Sequence, residues 1–73
     1  MSRAAAIGEE VRVAGYALAG VDVRAAEDAA AARAAWDALG DDVACVILTP
    51  AAHAALAGEL DRRPFVVWAV MPG

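Results

Sequence analysis

Four apolar runs separated by three helical stretches predict a small α/β domain of the doubly wound, Rossmann-like class, with a four-stranded parallel sheet and three helices. The connections are long enough for crossover helices, which antiparallel hairpins do not need. Right-handed crossovers and a reversal after the first strand give the strand order 2-1-3-4.

The first run, Ala4 to Ile7, ends at Gly8 and reads as a buried strand stopped by a turn. Val11 to Ala19 spreads its apolar residues too widely for a strand and reads as a short helix ending at Gly20, the usual left-handed residue past a helix end. Val21 to Ala25 alternates apolar and polar residues, as a half-exposed edge strand does. Asp28 suits the N-cap of an alanine-rich helix over Ala29 to Leu39, with Ala32, Ala35, Trp36 and Leu39 on one stripe before Gly40. Asp41 and Asp42 turn into Val43 to Leu48, a β-branched run suited to a strand covered on both faces. Thr49-Pro50 launches a third helix over Ala51 to Asp61, with Arg62 and Arg63 placed to favour the dipole of its last turn. Pro64 breaks that helix, and Phe65 to Met71 form the fourth strand.

Residues 1–73 are read as one domain, and a core this small supplies only about 3 to 5 kcal/mol without a disulfide, a metal or a partner. Cys45 has no second cysteine to pair with, and His53 is the only histidine, so neither a bridge nor a metal site is expected. A partner remains. Ten acidic residues against six arginines give a formal charge of -4, which argues against nucleic acid. No apolar run approaches the roughly 20 residues of a bilayer span, and no signal stretch is evident, so a cytoplasmic protein without direct membrane insertion is expected.

In the order 2-1-3-4, one helix covers one face and two cover the other. The fourth strand is nevertheless apolar on both sides, with Val66, Trp68 and Val70 pointing one way and Phe65, Val67, Ala69 and Met71 the other. One row is therefore short of cover, and Val66, Trp68 and Val70 are the candidate interface; Trp68 reads equally as a core residue or as the anchor of that interface.

Catalytic and cofactor readings are weak. Gly8, Gly15 and Gly20 lack the spacing of a dinucleotide loop, and two acids follow Gly8 where a phosphate would sit, so no cofactor is expected. Glu9 and Glu10 resemble the acidic cluster of a phospho-acceptor receiver domain, but the third strand ends in Leu48-Thr49 without an Asp, and the chain has no lysine. Acids favouring the dipole of the first helix explain them better. Cys45 reads as a core thiol and His53 as an exposed side chain.

The stretch Ile7 to Val21, with Gly8, an acid at Glu9, and Gly15-Tyr16-Ala17-Leu18-Ala19-Gly20, resembles the N-terminal signature of the F subunits of archaeal and vacuolar-type (V/A-type) rotary ATPases. Val46 to Thr49 and Arg63 to Val67 fall in the order of that family's later landmarks, so the resemblance covers nearly the whole chain. It implies a non-catalytic central-stalk component of the rotor, docked on the coiled-coil stalk protein, the D subunit of the same ATPase. Such a component helps couple ATP synthesis or hydrolysis to proton or sodium transport. The catalytic hexamer and the membrane-rotor adaptor are further implied partners, and a homo-oligomer in isolation is left open. The family usually continues into a mobile C-terminal segment, whereas this sequence stops at Met71-Pro72-Gly73, so the reading is of a domain like the F subunits but without that tail. The alternative is a receiver-like regulatory domain that binds a signalling partner, which rests on fold class alone.

Overall fold

The computed structural model describes residues 3–72. Its elements run β1 (Arg3–Gly8), α1 (Glu10–Val13), a 3-10 segment (Ala14–Ala19), β2 (Asp22–Ala25), α2 (Ala29–Asp37), β3 (Val43–Leu48), α3 (Pro50–Ala55), a second 3-10 turn (Leu60–Arg62) and β4 (Val67–Val70). The four strands form one parallel sheet in the order β2-β1-β3-β4, as the pattern of runs and crossovers predicts.

One hydrophobic cluster lies between the sheet and the α2/α3 layer. Ala5 and Ile7 from β1 and Val46 and Leu48 from β3 meet Trp36 of α2, Ala52 of α3 and Leu56 just beyond it. Trp36 is enclosed, so the stripe read from the sequence does form the core. On the opposite face Ala6 and Val13 are buried outside that cluster, where α1 lies over β1 and β2. The β1–β3 register shifts between Arg3 and Ala4, whose partners are Val43 and Cys45, and Ala44 is left without a partner. That irregularity lets Val43 join Val46 and Leu48 in the same core despite their odd spacing.

The helices are shorter than their sequence patterns suggest. Instead of one helix over Val11 to Ala19, a single α turn tightens into a 3-10 segment that buries none of its own residues. Tertiary packing supplies most helical stability, and this stretch receives little of it. Gly20 closes the segment at φ 83°, as expected, and its N–H reaches the Ala17 carbonyl at 3.1 Å. The third helix ends at Ala55 rather than Asp61. Gly58, at φ 85°, supplies the left-handed turn that redirects the chain, and the second 3-10 turn follows. Arg63 consequently serves another helix. Its Nη2 donates to the Asp37 and Leu39 carbonyls at 3.2 and 2.9 Å, at the C-terminal end of α2, and its guanidinium lies 5.8 Å from the Trp36 ring centre.

Candidate functional site

Ligands of doubly wound sheets usually sit beyond the C-terminal strand ends, near the switch in strand order. In this protein that region is tied up by its own chain. Thr49, fully buried, donates from Oγ1 to Glu9 Oε1 at 2.6 Å and accepts from the Ala52 N–H at 3.3 Å. The hydroxyl thus caps α3 and also anchors the turn after β1. It holds the Glu9 carboxyl below its ordinary pKa, because ionised Glu9 accepts that hydrogen bond more strongly; the backbone bond of Glu9 and nearby Arg12 act in the same direction.

Of the two acids read for the dipole of the first helix, Glu10 stands in the first turn of α1, while Glu9, at the N-cap, makes no capping bond and turns its carboxylate onto Thr49. The first N–H of α1 is satisfied from elsewhere, since Glu10 N donates to Glu27 Oε2 at 2.9 Å. Asp28 acts as read, accepting from the Ala31 N–H at 2.7 Å. Gly8 is required by proximity more than by turn geometry, because a Cβ there would run into the Thr49 side chain. The open cleft of about 410 Å³ beside these groups is lined mainly by alanines, with Glu9, Glu27 and Asp28 at its rim. Two of those three carboxylates bind backbone N–H groups and the third binds Thr49.

The apolar surface lies elsewhere. Register places Val67 and Ala69 of β4 beside Cys45 and Ile47 of β3, and Trp68 and Val70 beside the buried Val46 and Leu48. Paired residues of a parallel ladder point to the same face, so Trp68 and Val70 lie on the side of α2 and α3. The row expected to lack cover, Val66, Trp68 and Val70, is therefore the better covered of the two. Val66 is half-buried against the core, and the Trp68 ring meets the His53 ring at a centre distance of 5.1 Å, tilted by 34°. His53 is accordingly half-buried rather than exposed.

Cover on this side is still incomplete. Trp68 and Val70 remain about two-fifths exposed (41% and 39%), because α3 stops at Ala55 and gives β4 little beyond His53. The opposite row is barer: Val67 is 69% exposed, and Phe65 in the preceding turn is 94% exposed. The strand itself is shorter than read, since Pro64 and Phe65 turn and the Val66 N–H donates to the Arg63 carbonyl at 3.0 Å. Arg12 crosses from α1 to this flank, its Nη2 donating to the Pro72 carbonyl at 2.7 Å.

The signature residues Gly15, Tyr16, Leu18, Ala19 and Gly20 all lie on the 3-10 segment and its closing turn. Tyr16 is half-buried, and Leu18 is 95% exposed. No protein-family model, curated protein or solved structure matches the chain. Among the described residues no helix is long and apolar enough to cross a membrane.

Proposed function

We propose that the chain is a docking domain without catalytic function, a component of the central stalk of a V/A-type rotary ATPase that resembles its F subunits and binds the coiled-coil stalk protein. One observation carries the reading. The segment from Gly15 to Gly20, which bears the family resemblance, buries none of its residues and holds Leu18 outward, almost wholly in water. A lone exposed leucine is ordinary on a protein surface; what supports the reading is that this one falls, two residues from the half-buried Tyr16, on the segment that carries the resemblance. The strand order 2-1-3-4 supports the same reading, as does the Thr49–Glu9 bond, which commits the usual ligand end of the sheet to structure.

Co-expression with the coiled-coil stalk protein encoded in the same genome tests the proposal. The expected outcome is co-purification with a dissociation constant of about a micromolar or tighter. Leu18→Asp should weaken the complex by at least about tenfold without shifting the unfolding midpoint of the free chain, since nothing in the fold packs on that side chain. A chain that elutes apart from the stalk protein overturns the reading.

A further inference from the structure

Strand β4 bonds to β3 through alternate residues only. The Met71 N–H donates to the Leu48 carbonyl at 2.8 Å, and Val46 and Leu48 pair with Trp68 and Val70. In a parallel ladder each residue sends its N–H and C=O to the same side, so Val67, Ala69 and Met71 address β3. Trp68 and Val70 therefore aim theirs outward, and among the described residues these groups meet no other backbone partner.

We infer that this free edge takes a second copy of the chain, running antiparallel about a two-fold axis through Ala69 and joining two four-stranded sheets into one. The pairing closes on itself. Trp68 of one copy exchanges two hydrogen bonds with Val70 of the other, and the symmetric pair adds two more. Ala69 then faces its own equivalent at the close, non-hydrogen-bonded position of an antiparallel ladder, where a small side chain fits. Each Trp68 lies beside the other copy's Val70, so the half-covered residues of the α3 side shield one another as an aromatic and β-branched pair. On the barer face Val67 opposes the second copy's Met71.

Sliding the register by one step recruits Val66 or Pro72. The Val66 N–H is already given to Arg63, while Pro72 has no N–H and its carbonyl already accepts from Arg12.

Charge selects the occupant. The chain carries a formal charge of -4, so two copies repel wherever their acids approach, yet residues 64–73 contain no charged side chain. A two-fold contact sets each residue near the axis against its own kind, which makes such neutrality a requirement of self-pairing. The exposed apolar area sets the limit of the contact. With aromatic side chains offering about 150–250 Å² each, the exposed parts of Phe65, Val67, Trp68 and Val70 present on the order of 500 Å² per copy. Two copies could therefore bury at most about 1,000 Å², a small interface to which the backbone bonds of the seam add.

Sedimentation equilibrium and cysteine cross-linking test the inference on the intact chain. The wild type should reach twice the chain mass by about 100 μM, and Val70→Pro, which removes two of the four edge donors and leaves the β3 ladder intact, should weaken association about tenfold. In a Cys45→Ala background oxidised with diamide, Ala69→Cys should cross-link at least about tenfold faster than Val67→Cys, because only position 69 meets itself at a Cα separation of about 4.5 Å. This comparison decides the matter even if Val70→Pro does not fold, since position 67 is exposed as well yet faces Met71. A wild type that stays a single chain at about 100 μM, or equal cross-linking at the two positions, overturns the inference.

Discussion

The two outer strands of the sheet have opposite fates. Strand β2 is half-buried over most of its length, with α1 and the 3-10 segment on one face and α2 on the other, and the Arg24 guanidinium closes on Asp22 Oδ2 at 3.0 and 3.1 Å. Strand β4 is exposed at every residue and carries only Val, Trp, Ala and Val. The difference follows from topology. In the order β2-β1-β3-β4, α1 and α2 both flank β2 in sequence, whereas β4 receives one short helix from one side. An edge of mixed charge resists further pairing, and a bare apolar edge invites it.

The largest effect that would sharpen the contrast lies under α2. Trp36→Ala empties the best-filled site of the core and should cost about 3–5 kcal/mol, close to the whole stability of a domain this small, so urea titration should show a largely unfolded chain. Gly8→Ala comes next. Its new Cβ meets a Thr49 that cannot retreat without breaking its bonds to Glu9 and Ala52, and a loss of about 1–3 kcal/mol is expected in the same titration.

The pH dependence of stability is a smaller effect. The folded Glu9 pKa lies below its unfolded value, so the Thr49 bond contributes fully above the ordinary carboxylate pKa and is lost as pH falls through the lowered one. Glu9→Gln should flatten that part of the acid limb, measured as unfolding midpoint against pH. Smallest of all, Val67→Thr in the dilute single chain should change stability by no more than about 0.5 kcal/mol, because the side chain has little to lose. A large loss there would break the contrast between the edges.

Much of this architecture was legible in the sequence for identifiable reasons. Val43 to Leu48 is a β-branched run, Asp28 and Thr49 stand directly before their helices as N-caps do, and crossover handedness leaves few strand orders to choose from. The failures are equally specific. Gly58 sits in a stretch whose apolar stripe continues through Leu60, so periodicity carried the third helix past the residue that ends it. Strand β4 is apolar on both sides and offers no period-2 signal; only its register with β3 reveals that Val67, and not Trp68, is on the barer face. The Glu9–Thr49 bond joins residues forty positions apart, and no local pattern announces it. Leu18 is the reverse case, a side chain of the signature pattern that the fold leaves in water while Gly20 of the same segment closes its turn.

Residue-resolved amide hydrogen exchange at low and high protein concentration tests most directly whether β4 is an open pairing edge. In dilute solution the Trp68 and Val70 amides should exchange rapidly while Ala69 and Met71, bonded to β3, stay protected; on concentration the first two should slow by about tenfold or more as a second copy covers them. Protection of Trp68 and Val70 in the dilute single chain, or rapid exchange that ignores concentration, would contradict the account.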